Sequence, residues 1–206
     1  ATLGDVTERI SPGLATGADK VFVMNRDDVP DDVNDEWVRP TVSGSQLREF
    51  DGPRTDSVFV CPYTEDGDLA DEDELGTTLN WLESHRERLE DRSCVEGGKK
   101  WYAWHETPPM EDILQPKIVF RDIAKEPRFW PEHEGDIVPK HSVYYAVPQD
   151  GLPMDELIEY LTSPEARMWM EAHCQKAHNG YYRLQSRVLT DLPVPAEWAD
   201  SFQATL

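Results

Sequence analysis

Residues 117–123 read KIVFRDI and residues 142–147 read SVYYAV, and these two stretches decide the fold class. Both are short and rich in β-branched and aromatic residues, which predicts buried β-strands. The runs Lys20–Met24 (KVFVM) and Ser57–Cys61 (SVFVC) have the same character. Lys99–His105 alternates aromatic and polar residues, which also predicts a strand.

Helical patterns are concentrated in the last third of the chain. Asp155–Tyr160 and Pro164–Cys174 predict two consecutive helices, the second with Ser163 as its N-cap and Pro164 in its first turn. Residues 71–91 carry leucines at near-helical spacing among charged residues, which predicts an earlier helical region. Because strands precede most helices, the pattern favours a mixed α+β domain over alternating βαβ units.

The length of 206 residues allows one large domain, and we expect a single domain over 1–206 with residues 191–206 as its C-terminal tail. Leu192-Pro193-Val194-Pro195 predicts the end of regular structure. The chain starts at Ala1 without a Met, which suggests a piece of a longer protein.

The charge balance is extremely acidic, with 41 Asp and Glu against 20 Lys and Arg and a net charge of −21. Seven Trp, seven Tyr and six Phe argue against a disordered acidic chain and for a folded domain with an acidic surface. Molar salt shortens the Debye length to about 3 Å, so such a surface no longer repels itself. Arg also outnumbers Lys, and we interpret the composition as halophilic. The loop Asp27–Glu36 is expected to be solvated.

The acidic residues are distributed unevenly. Residues 1–98 carry a net charge of −15, whereas residues 99–190 carry −3. Nothing acidic lies between Glu171 and Asp191, where Lys176, Arg183 and Arg187 occur. Either chance or a functional constraint explains this gap, and a constraint would favour a polyanionic partner.

Cysteine usage and hydropathy favour a cytoplasmic protein. Cys61, Cys94 and Cys174 are an odd number without CxxC spacing, typical of reduced thiols. No apolar run approaches the ~20 residues of a membrane span, so we expect no membrane partner.

Several enzymatic motifs are missing. The sequence has no GxGxxG, no phosphate-binding GxxxxGK[ST], no GxSxG and no HExxH. Cys174 and His178 have a possible ligand spacing, but a closed zinc site needs four ligands and no partner pair is evident. We therefore expect no catalytic residue and no metal in this chain.

A series of short landmarks, in order, resembles the C-terminal specificity domain of TaqI-type adenine-N6 DNA methyltransferases and related combined restriction–modification enzymes. The landmarks extend over residues 10–195, and their order is more specific than any one of them. They are SPGLATGADKVF (Ser11–Phe22), VRPTVSG (Val38–Gly44), KKWYAWH (Lys99–His105), KIVFRDI (Lys117–Ile123), HSVYY (His141–Tyr145), LTSP (Leu161–Pro164), LQS (Leu184–Ser186) and LPVP (Leu192–Pro195).

This resemblance implies an α+β domain with an irregular, β-helix-like strand region and a C-terminal helical hairpin. It also implies sequence-specific recognition of double-stranded DNA, with the N-terminal methyltransferase domain of the same chain as a second partner. The motif Asn/Asp-Pro-Pro-Tyr/Phe that holds the target adenine is absent, since the only Pro-Pro stands in Thr107-Pro108-Pro109-Met110. No cofactor is therefore expected here, and S-adenosylmethionine is expected in the missing catalytic domain.

DNA recognition requires cations, hydroxyls and backbone amides for phosphates, and Arg, Lys, Asn or Gln for base edges. The phosphate candidates are Thr16, Gly17, Lys20, Lys99, Lys100, Arg121, Lys125 and Arg128. Lys140 and His141 are further DNA-contact candidates, because they come just before a predicted strand, where loop side chains often reach ligands. The base-reading candidates are Asn179, Arg183, Gln185, Ser186 and Arg187. For each, an ordinary structural role is the alternative: Gly17 in a turn, Lys99 and Lys100 solvated after Gly97-Gly98, Arg187 paired internally. Trp101 and Trp104 fit packing better than base contact.

Two other classes of protein compete with DNA recognition. One is a protein-interaction or specificity subunit that does not read DNA directly, and the other is a stand-alone enzyme. A basic surface stripe would favour the DNA-binding class, and a pocket of converging titratable groups would favour an enzyme.

Overall fold

The computed structural model describes residues 1–203, and antiparallel strands form its framework. The strands are β1 (Thr7–Pro12), β2 (Val23–Asn25), β3 (Val38–Pro40), β4 (Ser57–Val60), β5 (Lys117–Arg121), β6 (Ile123–Ala124), β7 (Phe129–Glu132), β8 (Val143–Pro148), β9 (Gln175–Lys176) and β10 (Tyr182–Arg183). Within residues 1–203 they form a central sheet of order β1-β8-β5-β7, an N-terminal sheet β2-β4-β3 and a small sheet β6-β10-β9.

Short helices fill the space between the strands. They are α1 (Asp19–Phe22), α2 (Gly44–Glu49), α3 (Glu72–Leu75), α4 (Thr78–Ser84), α5 (Arg86–Glu90), α6 (Ser93–Glu96), α7 (Met110–Ile113), α8 (Met154–Leu161), α9 (Pro164–His173), α10 (Ser186–Leu189) and α11 (Ala196–Gln203). Four 3-10 turns occupy Leu3–Val6, Arg26–Asp28, Asp35–Trp37 and His178–Gly180. The mixed α+β class is confirmed.

The central sheet is buried on both faces. Along β5, Val119 belongs to one hydrophobic core, while Ile118 and Phe120 belong to another. Alternate residues of a strand point to opposite faces, so this sheet divides the two cores. The strands predicted at Lys117–Ile123 and Ser142–Val147 are thus confirmed, with Asp122 interrupting the first.

The predicted helical hairpin is confirmed as α8 and α9. The Ser163 hydroxyl accepts a hydrogen bond from the Ala166 amide, as expected of an N-cap, and Pro164 occupies the first turn. The helical region at 71–91 is also confirmed, although Gly76, at φ 54°, separates α3 from α4. The strand region called β-helix-like in the resemblance consists of antiparallel sheets rather than parallel coils.

Two predicted strands are wrong or partly wrong. Lys20–Met24 begins as helix α1 (Asp19–Phe22), and only its last two residues belong to a strand, β2. Lys99–His105 is an irregular loop whose Trp101, Tyr102 and Trp104 all enter the core. The other short run, Ser57–Cys61, is a strand as predicted and forms β4 (Ser57–Val60).

The prediction that regular structure ends at Leu192–Pro195 is wrong, because α11 follows it. This tail also closes against the start of the chain: the Leu3 amide donates to the Leu192 carbonyl (2.7 Å) and the Val194 amide to the Ala1 carbonyl (3.0 Å). Residues 204–206 of the predicted tail lie outside the described residues. The division into one domain and a tail stays a prediction.

Salt is expected to stabilise this fold because unpaired acidic charge dominates its surface. Half of the loop Asp27–Glu36 is exposed, including Asp27, Asp28 and Asp31, although Val33 is buried. We expect thermal melts between about 0.1 and 2 M KCl to show a gain of about 2 kcal/mol, or roughly 4–8 °C for this chain length. Replacing Asp27, Asp28, Asp31 and Asp32 together by Asn should flatten the dependence. A flat wild-type profile would contradict the halophilic interpretation.

Candidate nucleic-acid interface

A cleft of about 230 Å³ opens where the small sheet meets α2 and the β5–β7 connection. Four cations line it: Arg48, Arg121, Lys125 and Arg128. Trp130 and Tyr181 supply aromatic surface, and Ala124 and Glu126 complete the lining. We call this feature the basic cleft.

Backbone pairing brings two distant segments together at the basic cleft. In the small sheet, Tyr182 lies opposite Ala124 and Arg183 opposite Ile123. The Leu184 amide extends this contact by donating to the Asp122 carbonyl at 2.8 Å. The phosphate candidates at 121–128 and the acid-free segment at 172–190 therefore form one continuous surface.

Most cations of this surface carry no ion pair. Within the described part of the chain, Arg48, Arg121 and Lys125 lie beyond ion-pair distance of any carboxylate, despite the excess of acids. Arg128 is different, because it pairs with Asp51 and lies over the Trp130 ring, 5.0 Å from its centroid. Unpaired cations in so acidic a chain indicate an anionic ligand.

Asp51 is the internal counter-ion of the basic cleft. A hydrogen bond from the Trp130 indole at 3.0 Å and the neighbouring Arg128 guanidinium hold the pKa of Asp51 below its usual value. The carboxylate is therefore charged and keeps Arg128 in place over Trp130.

The acid-free segment exposes its polar side chains. Lys176, Arg183 and Arg187 are exposed, whereas Leu184 is fully buried. Arg187 donates to the Gln185 side-chain oxygen at 3.1 Å and not to a carboxylate, so the internal-pair alternative does not hold in this structure. Ser186 opens α10, and Asn179 occupies a left-handed turn at φ 64°.

The Thr16–Lys20 candidates form a separate group. Thr16 is fully buried and its hydroxyl donates to Asp19 at 2.6 Å, so the proposed phosphate contact by this side chain is contradicted. Gly17 takes φ 74° in an exposed turn, where an added Cβ would lie 3.1 Å from His105. Lys20 is exposed.

Asp19 also holds Lys140, whose ammonium lies 2.9 Å from its carboxylate. Burial acts to raise the pKa of Asp19, but hydrogen bonds from Thr16 and Lys140 outweigh it and lower the pKa. Lys140 is therefore engaged in an ion pair, while His141 is exposed beside it.

Lys99 is half-buried and bonded to the protein, whereas Lys100 is exposed and forms a surface ion pair. The Lys99 ammonium donates to the carbonyls of Trp104 (3.3 Å) and His105 (2.8 Å), which closes the aromatic loop. Lys100 pairs with Asp71 at 2.6 Å. Both side chains therefore have a partner in the protein, and a phosphate contact by either stays a prediction. The packing interpretation of Trp101 and Trp104 is confirmed, since both are buried.

Sequence reasoning missed Arg48 and Trp130. Arg48 lies in the last turn of α2, more than seventy positions before the other cleft cations in the chain. Helix α2 was itself detectable, because Ser43 and Gln46 form a capping box. No local signal placed its last turn beside residues 121–128.

Other kinds of site are not evident. Within residues 1–203, no three His, Cys, Asp or Glu side chains cluster to hold a metal. No helix in the same range is long and apolar enough to cross a membrane. The three cysteines are free, and burial raises the pKa of the Cys61 thiol to about 12.

The fold is similar to that of segments of two restriction–modification enzymes of known structure. The type IIL restriction–modification enzyme MmeI, solved in complex with DNA, matches with a TM-score of 0.62 at 11% identity, over 98% of this chain and 27% of that one. The type IIG restriction endonuclease BpuSI matches with a TM-score of 0.51 at 12% identity, and the match covers 98% of this chain and 26% of BpuSI.

In sequence, the chain is similar to a segment of several type II methyltransferases. M.PaeR7I of Pseudomonas aeruginosa is 26% identical over 193 residues, covering 93% of this chain and 33% of the relative. M.BstVI of Geobacillus stearothermophilus is 23% identical over 188 residues, which cover 91% of this chain and 33% of the relative. M.BanIII of Aneurinibacillus aneurinilyticus is 28% identical over 202 residues, which cover 92% of this chain and 34% of the relative. No family model matches the chain.

The chain thus spans about one third of the length of the type II methyltransferases it matches. It is similar to one segment of those proteins and shares its fold with a segment of MmeI and BpuSI. The resemblance to a specificity domain stated from the sequence is confirmed.

Proposed function

We propose that this chain is the target-recognition domain of an adenine-N6-specific type II DNA methyltransferase. It binds duplex DNA through the basic cleft and the adjoining acid-free segment. The observation that carries the proposal is the gathering of unpaired cations from three separate segments on one surface of a chain with net charge −21. The DNA complex of MmeI, which shares the fold, supports it.

Within this proposal, the two parts of the surface have different roles. Arg48, Arg121 and Lys125 hold phosphates, because they converge on a cleft without an internal ion pair. Arg128 joins them, since its pair with Asp51 is exposed to solvent and therefore weak. The base-reading roles belong to the acid-free segment, whose exposed groups have suitable hydrogen-bonding chemistry. Asn179, Arg183 and Arg187 are the exposed members, and Gln185 and Ser186 are half-buried beside them.

Methyl transfer belongs to the rest of the parent protein. This chain has no Asn-Pro-Pro-Tyr-type motif, and its relatives extend over about three times its length. S-adenosylmethionine and the target adenine are accordingly assigned to an N-terminal catalytic domain that packs beside this one. We place the protein in the cytoplasm of a salt-adapted cell, where its DNA substrate and an acidic surface are compatible.

Removing two cleft cations tests the interface. The double variant Arg121→Gln, Lys125→Gln should weaken binding to all duplexes by roughly tenfold for each lost contact. The slope of log K against log [KCl] should fall by about two, since each neutralised phosphate contributes about 0.9. Fluorescence anisotropy with a labelled duplex over a KCl series measures both quantities.

The matched control removes the same two charges elsewhere. Arg26 and Arg88 are exposed, form no ion pair among the described residues and lie outside the cleft lining. The double variant Arg26→Gln, Arg88→Gln should keep the wild-type salt slope. Equal losses in both variants, or no DNA binding by the wild-type chain, would contradict the proposal.

A further inference from the structure

Phe50 is an exposed aromatic residue in the turn that ends α2, directly before Asp51, the counter-ion of the basic cleft. Its side chain is 55% exposed, and within residues 1–199 only Met168, at 69%, is a comparably exposed large apolar side chain. A single exposed apolar residue needs no explanation by itself. The local backbone and the neighbouring charges make Phe50 different.

The turn that carries Phe50 is rigidly built. Phe50 is the C-cap of α2, and Asp51 follows it in the left-handed conformation at φ 48°. The Gly52 amide donates to the Leu47 carbonyl at 3.2 Å, which is the long bond of a Schellman motif. Because the backbone at Phe50 is already ordered, an intermolecular contact there loses little conformational entropy.

Tertiary contacts anchor the same turn to the basic cleft. The Asp51 carboxylate is bound by Arg128 and by the Trp130 indole, both of which line the cleft. Arg48, two residues before Phe50, lines it as well. Phe50 therefore stands beside the cations that the proposed function assigns to phosphates.

We propose that Phe50 makes an apolar contact to a DNA base and contributes to sequence discrimination. The inference rests on the proposed function, because it requires duplex DNA in the basic cleft. Phosphates held by Arg48 and Arg128 bring the edge of a groove to this turn, and apolar side chains there insert at base steps or contact the thymine methyl group. Glu49, exposed next to Phe50, disfavours a phosphate at this position and leaves the uncharged bases as the partner.

The test selects bound sequences from a pool of randomised duplexes, with the 206-residue chain at fixed KCl. Wild-type protein should enrich a defined site, and Phe50→Ala should enrich the same site with relaxed preference at one or two adjacent base pairs. Affinity for the wild-type site should fall roughly tenfold, the usual loss for one aromatic base contact. Affinity for random duplex should change less than about twofold.

Two further variants complete the experiment. Phe50→Tyr keeps the ring and should retain the preference, and Met168→Ala removes an equally exposed apolar side chain outside the cleft lining and should match wild type. If Phe50→Ala binds as wild type does, or weakens all duplexes equally, the inference is wrong. If the wild-type chain enriches no sequence at all, the proposed function itself fails, and the two failures are thereby distinguished.

Discussion

Replacing Glu132 by Leu is expected to lower the free energy of unfolding by about 3–5 kcal/mol, the usual cost of stranding a buried charge. Glu132 and Lys117 face each other across β5 and β7, and both side chains are fully buried. Their ammonium and carboxylate groups lie 2.8 Å apart. Without the carboxylate, the Lys117 ammonium would keep only the carbonyls of Ile113 and Gln115.

The matched substitution at the other end of the pair should cost less. In Lys117→Met, Glu132 still accepts hydrogen bonds from Arg54 (2.9 Å) and from the Gly135 amide (2.9 Å). A chemical denaturation series measures both variants. Equal destabilisation by the two substitutions would show that the charge of Lys117 is not stranded when Glu132 is removed.

The pH dependence of Glu132→Leu provides a second readout. Burial lowers the pKa of Lys117 from its usual 10.5, and loss of the carboxylate removes a group that raises it. Between the folded and unfolded pKa values, the unfolded chain binds more protons, so stability rises with pH. The destabilisation should therefore be largest at neutral pH and shrink as the pH approaches 10.5.

Arg92→Ala is expected to cost about 3 kcal/mol or more, because buried acceptors left unsatisfied cost about 1–3 kcal/mol each. Arg92 is only 8% exposed, and its guanidinium donates to the carbonyls of Leu89 (2.9 Å), Thr16 (2.9 Å) and Trp101 (2.7 Å). Burial lowers its pKa. The Arg92 side chain joins the Thr16–Gly17 turn to the aromatic loop, together with the His105 amide, which donates to the same Thr16 carbonyl at 2.9 Å.

Thermal melts and tryptophan emission measure the Arg92 effect. Arg92→Lys retains a charge but loses the planar guanidinium whose nitrogens reach three separate carbonyls, so it should fall between wild type and Arg92→Ala. The exposed neighbour Arg88 serves as a control, since Arg88→Ala should change stability by less than about 0.5 kcal/mol. If Arg92→Ala melts as wild type does, the Thr16 turn is held by other contacts and its role in DNA binding is open again.

The sequence predicted best where a signal was local. The helices α8 and α9 followed from apolar spacing and from Ser163-Pro164, because an N-cap depends on residues within one turn. Strands β5 and β8 followed from β-branched and aromatic runs, which become buried in almost any arrangement. The ordered landmarks placed the chain beside type II methyltransferases, and the comparisons confirmed this. The acidity is a property of composition and required no structure.

The tertiary structure decided which candidates can meet a ligand. Thr16, Lys99, Lys100 and Lys140 have the right chemistry for phosphate, but the fold supplies each with an internal partner. Arg48 and Phe50 gave no signal, because their proximity to residues 121–130 depends on contacts between segments far apart in sequence. Residue type determines what a side chain can bind. Only the packing of distant segments determines whether that capacity is used inside the protein or left for DNA.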